Sequence, residues 1–269
     1  MDTRLDEIAD GIYRVSSLLP VPAVRAGLPG GAGEAPQAVT VNQFLVLADE
    51  PLLFHTGFRA GFPALAEALR PVLALRDLRW VAFGHIEADE CGALDRVLEA
   101  APHARVAFGE VAWPGSLDDL LSVMPQRPVR RLEAGDKVDL GGRLLVHVPT
   151  PHAPHGVDAQ VLYEETTGTL LSGDLFGQAG AGPAVTSRDL VDAAVESEAA
   201  YPAAAPGPAV PRALRSLAAL RPRTIATMHG SAFEGDGGSA LLGLADAWED
   251  RFGACAQVAG DEGVASRHG

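Results

Sequence analysis

Residues 79–100 read RWVAFGHIEADECGALDRVLEA. Arg79–Gly84 is a short β-rich run that surfaces at His85. Glu90–Ala100 follows as a helix, with Ala93, Leu94, Val97 and Leu98 on one face and Asp89 placed as its N-cap. Between the two lie an imidazole and three carboxylates within six residues, His85, Glu87, Asp89 and Glu90. Such a set cannot be buried together without compensating charge or hydrogen bonds. If residues 85–89 are extended, side chains alternate and His85, Glu87 and Asp89 share one face, one nitrogen and two oxygen ligands aimed at one spot. Taken alone, the segment reads equally as a solvated loop capping a helix.

Working outward, strands are expected at Gly11–Leu19, Val41–Ala48, Leu52–His55 and Ala104–Phe108. Helical spacing marks Phe62–Ala74, and a short helix is expected at Ser116–Val123. Lys137–Val148 has the pattern of a hairpin turning at Gly141-Gly142, and Val157–Glu165 pairs with Thr169–Asp174 around Thr167-Gly168. Helices follow near Asp189–Ala200, Pro211–Leu220 and Ser239–Phe252, and Thr224–Met228 is a strand running into His229. Strands in blocks with helices between them suit an α/β sandwich in which two mixed sheets pack together under outer helices. Hairpins are too frequent for a doubly wound parallel sheet.

The 269 residues carry 35 acidic and 21 basic side chains, a net charge of -14. This balance lacks the basic footprint of a nucleic-acid partner and favours a basic docking partner whose association weakens with salt. The apolar stretches fall short of the ~18 residues of a membrane helix, and the acidic start MDTRLDEIADGIYRV is no signal peptide. Two cysteines, Cys91 and Cys255, make no disulfide framework, so the expected compartment is the cytoplasm. Of the 30 glycines and 20 prolines, many fall in residues 20–38, expected as a loop, and in 202–211, a connector between helices. The tail 255–269 is expected to fray. With no internal repeat and no shift in composition, residues 1–269 are read as one domain.

Three further strand ends carry metal-capable residues: His152 in TPHAPH, Asp174 in LLSGDLFG and His229 in IATMHG. A lone histidine is usually structural and an aspartate after Ser-Gly usually a turn residue. Four strand ends that each surface such a residue read jointly as a metal site.

With these residues in place, the chain resembles the metallo-β-lactamase superfold, and within it the diiron branch of flavodiiron proteins and shorter oxygen-binding diiron proteins. The hydrolases of that superfold carry HxHxDH; the diiron branch carries HxExD, which stands here as His85, Glu87 and Asp89. His152 lies 63 residues past Asp89, Asp174 a further 22 and His229 a further 55, matching the order of the remaining ligands. The resemblance spans about Gly11 to Phe252. It implies a four-layer αββα sandwich, one iron held by His85, Glu87 and His152, a second by Asp89 and His229, and Asp174 as the bridge. Carboxylates with imidazoles suit iron or manganese at least as well as zinc. The implied function is binding, and with electrons reducing, O2, NO or peroxide; the implied assembly is a homodimer. No catalytic side chain beyond the ligands is singled out.

Two features depart from the pattern. Glu90 stands where the hallmark ends in histidine, with three roles open to it: ligand, contact through water, or first residue of the helix. No phosphate loop for FMN follows in this chain, so the expected electron donor is an outside partner. His155 is a second-rank candidate that could exchange roles with His152, which is preferred because it precedes Ala-Pro as in the family. His55 sits at a strand end near the implied pocket, placed to orient a ligand or to be a half-buried structural histidine. His147 lies in an alternating strand, while His103 and His268 read as surface residues. Cys91 reads as a small buried residue. A dinuclear zinc or mixed-metal hydrolase of esters, thioesters or lactones would use the same six positions, against which stands Glu87. A diiron gas or redox sensor is the third reading. GxSxG, the serine hydrolase signature, is absent from the sequence.

Overall fold

The computed structural model describes residues 2–20, 38–109, 129–204 and 207–252. Of the loop expected over 20–38, Pro20 and Ala38 end and begin strands and the rest lies outside the described residues, as do the helix at Ser116–Val123, the tail 255–269, Cys255 and His268.

Period-two alternation builds the core. In Ala38–Val46, Phe44 and Val46 face one cluster and Leu45 the opposite one; in Trp80–Ala82 the same split separates Trp80 and Ala82 from Val81. The shared cluster lies between two sheets. Phe44, Leu52, Phe54 and Ala82 from the first meet Leu162, Leu171 and Ala226 from the second. Residues that alternate outward from both sheets are apolar too, and helices cover them. Strands buried on both faces are what a four-layer αββα sandwich requires, as expected from the sequence.

The first sheet runs β1 (Asp2–Ala9), β2 (Ile12–Pro20), β3 (Ala38–Val46), β4 (Leu52–Phe54), β5 (Trp80–Ala82), β6 (Arg105–Gly109) and β7 (Val129–Leu132) in spatial order. β1 to β4 pair antiparallel and β4 to β7 parallel. Parallel neighbours need crossovers, supplied by α1 (Phe62–Leu69) and by α2 (Ala88–Cys91) with α3 (Leu94–Ala100). Leu65, Leu69, Leu94, Val97 and Leu98 from these helices pack on Val81, Phe83 and Phe108.

The second sheet contains β8 (Lys137–Asp139), β9 (Leu144–Pro149), β10 (Gln160–Glu164), β11 (Thr169–Leu171), β12 (Val185–Thr186), β13 (Thr224–Ala226) and β14 (Ala232–Glu234), in the order β12-β14-β13-β11-β10-β9-β8. β8 and β9 turn at Gly141-Gly142, both at positive φ (74° and 89°), the backbone that a two-residue hairpin loop demands. Buried Glu164 accepts the Thr166 and Thr167 N–H groups and the Thr167 hydroxyl, fixing the β10–β11 turn. Outside this sheet lie α4 (Val191–Ala200), α5 (Ala209–Ala218) and α6 (Gly237–Phe252), whose Val210, Leu214, Leu241 and Trp248 cover Val161, Leu170 and Ile225.

Two local expectations are corrected. The helix expected over Glu90–Ala100 is two helices, because the Ala93 N–H is drawn to Gly57 O (2.9 Å) in the loop after β4. Its N-cap is Glu87, not Asp89, which lies inside the first turn. Among the described residues no helix is long and apolar enough to cross a membrane.

Candidate metal centre

β4 and β5 are parallel, as are β11 and β13, and the chemistry sits just beyond the carboxyl ends of these strands. His55 follows β4, His85 follows β5, Asp174 follows β11 and His229 follows β13. Open α/β sheets place ligand sites at this position.

Around His85 the chain is bent, not extended. Ile86 donates its N–H to Asp158 Oδ2 (2.8 Å), and Glu87 takes an extended backbone (φ -139°, ψ 158°) before α2 begins at Ala88. The expected strand alternation of His85, Glu87 and Asp89 is thus replaced by a bend and a helical turn. His85 Nε2 lies 2.9 Å from Glu87 Oε2, and His155 Nε2 lies 2.8 Å from the same oxygen. Asp174 Oδ2 is 3.8 Å from His85 Nε2 and 3.6 Å from His155 Nε2. One donor atom from each of His85, Glu87, His155 and Asp174 fits within 4.8 Å of all the others.

The other oxygen of Asp174 looks elsewhere. Oδ1 is 3.4 Å from His229 Nε2, which is 3.5 Å from Asp89 Oδ2. His229 Nδ1 donates to Thr40 O (2.7 Å), which leaves Nε2 as the atom turned to the carboxylates. Asp174 Oδ1 is buried and makes no hydrogen bond, so the acceptor has capacity to spare.

Five of the six residues expected as ligands are brought together: His85, Glu87, Asp89, Asp174 and His229. His152 is not among them. Its side chain is exposed, its backbone has φ +65°, and its N–H is spent on Gly156 O. The β9–β10 loop buries Ala153 and folds His155 back onto Glu87, so the second histidine of the motif, not the first, reaches the cluster. Glu90 is fully buried behind His85, and His55, also fully buried, lies behind Glu90 (His55 Nε2 to Glu90 Oε1 3.5 Å). His147 is buried in β9 with Nδ1 on Glu133 O, and His103 is exposed. Cys91 is buried, and burial, with the Glu90 charge added, pushes its thiol up to about 12.

Electrostatics in the cluster follow from crowding acidic groups under partial burial. Burial disfavours the His85 imidazolium, yet the Glu90 charge and hydrogen bonds to Glu87 and Glu90 prevail and raise its pKa to about 11. His229 behaves alike: burial is outweighed by Asp174, and its pKa rises to about 9. His155 is raised by its bond to Glu87. Glu87 is held well below the usual carboxylate range by His155 and His85, and Asp174 is depressed by His229 against the pull of burial. Asp89 moves the other way, up to about 6, through burial and the neighbouring Asp174 charge. Protonated imidazoles here do the neutralising that a cation would do.

The ODP family beta lactamase model matches residues 39–230, which hold every residue of this cluster. The chain belongs to that family. Coenzyme F420H2 oxidase of Methanothermobacter thermautotrophicus is 29% identical over 183 residues, covering 66% of this chain and 43% of that protein. The chain thus spans under half the length of such curated relatives. The metal-soaked flavodiiron core from Synechocystis sp. superposes with a TM-score of 0.76 at 23% identity, over 93% of this chain and 61% of that one. Rubredoxin oxygen:oxidoreductase from Desulfovibrio gigas gives 0.72 at 21% identity, over 90% and 62%. At these identities the structures attest the shared fold.

Sequence reading missed the supports of this ODP-family cluster. Thr40 and Asn42 lie on β3, in the other sheet from His229, yet Thr40 takes His229 Nδ1–H on its carbonyl and Gly230 N–H on its hydroxyl (2.6 Å). Asn42 Nδ2 donates to Thr227 O and Gly230 O. The one available signal was period-two polarity, Thr40 and Asn42 interrupting an apolar strand.

Proposed function

We propose that the chain holds two iron ions, one by His85, Glu87 and His155, the other by Asp89 and His229, with Asp174 shared, and acts on O2 or NO with electrons from a reductant. The observation that carries this reading is the two-sided placement of Asp174. Oδ2 faces one donor set and Oδ1 the other, and its buried Oδ1 lacks a hydrogen bond. The donors fit iron: imidazole nitrogens and carboxylate oxygens, no thiolate. A bound iron pair supplies one-electron redox steps and open coordination positions for a diatomic ligand.

The residues divide the labour. Glu87 holds both His85 and His155 on one oxygen, so the two rings, edge to face at 4.3 Å, are spaced before any ion enters. Thr40 O keeps the His229 proton on Nδ1. Glu87 is half exposed, which leaves the cluster open to a small molecule on that side, while the Phe54 and Phe44 rings close it behind His55. The relative named coenzyme F420H2 oxidase supports a redox reaction at this site.

The test is metal content and optical spectrum of protein purified without added metal, before and after anaerobic reduction and exposure to O2. The expected result is about two irons per chain, with a near-ultraviolet band that bleaches on reduction and returns with O2. Two zincs, no redox-active band and turnover of a thioester or lactone, repeated from iron-supplemented cultures, would overturn it in favour of hydrolysis.

A further inference from the structure

Glu90 stands in the first turn of α2, and its surroundings are more specific than a helix start needs. The side chain is fully buried. Oε2 accepts the His85 backbone N–H at 2.6 Å, and Oε1 lies 3.1 Å from His85 Nδ1. Glu90 thus holds the His85 backbone through Oε2 and sets a second acceptor, Oε1, beside the ring nitrogen. The Glu90 carbonyl accepts the Thr56 N–H at 2.6 Å, tying the first turn of α2 to the end of β4.

The space is cut to this carboxylate. A Cβ on Gly84 would stand 2.9 Å from both Glu90 oxygens, closer than side chains tolerate. His55 closes the far side, with Nε2 3.5 Å from Oε1 and Nδ1 2.8 Å from Met228 Sδ. His55 is held at φ +67°, a backbone that costs a residue with a Cβ, by its N–H to Ala82 O and by the Phe54 ring 4.1 Å away. His55 Nε2 and Glu90 Oε1 are both buried without a hydrogen bond.

We propose that Glu90 is the positioning residue of the centre: it fixes His85 with the ring proton on Nδ1 and Nε2 toward the ions, and is not itself a ligand. This rests on the metal-centre reading above. Two acceptors are needed at once, for the backbone N–H and for the ring, and a carboxylate has both where an amide has one. The outer carboxylate also makes the imidazole a stronger donor.

Zn(II), which is diamagnetic, is the probe. The measurements are competition titration against a chromophoric chelator and long-range 1H–15N spectra of the zinc-loaded full chain, for wild type, Glu90→Gln and Gly84→Ala. Wild type should bind two ions per chain, with the His85 proton on Nδ1. Both variants should keep that stoichiometry at saturation and lose about 10–100-fold in affinity at the His85 ion, with altered His85 ring shifts. Gly84→Ala keeps Glu90 but displaces its carboxylate, so it carries the test if Glu90→Gln does not fold. Wild-type affinity and shifts in both variants would overturn the proposal. So would metal on His85 Nδ1, or a Glu90→Gln chain that saturates at one ion, which would make Glu90 a ligand. A wild-type chain that takes up no zinc fails earlier and removes the centre itself.

Discussion

The two histidines of the β9–β10 loop are three residues apart and have opposite fates. His155 Nε2 shares Glu87 Oε2 with His85, whereas His152 points to solvent. His155→Ala should therefore lower metal stoichiometry or cost at least tenfold in affinity, while His152→Ala leaves both unchanged; titration of the two variants side by side decides it, and the reverse outcome would restore His152. Asp174→Ala should be more severe, because one carboxylate faces both donor sets. Most bound metal should be lost, as measured by elemental analysis, and retention of two ions would refute the shared-ligand assignment. Five of the clustered side chains were legible in the sequence, because His85, Asp174 and His229 lie just past apolar strands and Glu87 and Asp89 follow His85 at short spacing. The choice between His152 and His155 was not, since it depends on burial of Ala153, which sequence spacing does not encode.

Strand β3 belongs to one sheet and serves the other. Asn42 is fully buried, donates its N–H to Met228 O and its amide to Thr227 O and Gly230 O, and so holds the loop that presents His229. Asn42→Ala removes two side-chain donors from buried carbonyls and should cost about 1–3 kcal/mol. Urea unfolding of metal-free protein would measure this, and an unchanged midpoint would show that β3 does not support the loop. Elements with two buried faces, such as β5 and β13, were readable as apolar runs. β1 was not: it is an edge strand whose burial is confined to Ile8, so DTRLDEIA shows no hydrophobic alternation and forms through its ladder with β2. β12, two residues long, holds too little pattern to read. The split between α2 and α3 escaped for a related reason, being set by a long-range bond to Gly57 O.

At the scale of the molecule the cluster is a seam. His85, Glu87 and Asp89 come from connections of the first sheet, His155, Asp174 and His229 from the second, so any ion bound there ties the two sheets together. In the metal-free chain, protonated histidines do that work, with a definite sign in pH. His85 and His229 keep protons to about 11 and about 9 that unfolded imidazoles release near 6.5. Their contribution to stability is complete below about 6.5 and is lost as pH rises through the folded values. Glu87 and Asp174, depressed in the fold, contribute above the ordinary carboxylate range and lose that contribution as pH falls through their folded values; Asp89, raised to about 6, loses its contribution as pH rises from the ordinary aspartate value. A metal ion must displace the imidazolium protons, so affinity should rise about tenfold per pH unit for each proton released. At fixed free metal, each tenfold widens the stability gap between the loaded and the metal-free chain by about 1.4 kcal/mol. Thermal unfolding at pH 6, 7 and 8 under buffered free metal should therefore show the metal-free Tm falling while the loaded Tm stays nearly level, so that the gap between them widens. A gap independent of pH would mean that no imidazolium proton leaves when metal binds, and that the histidines are not the ligands.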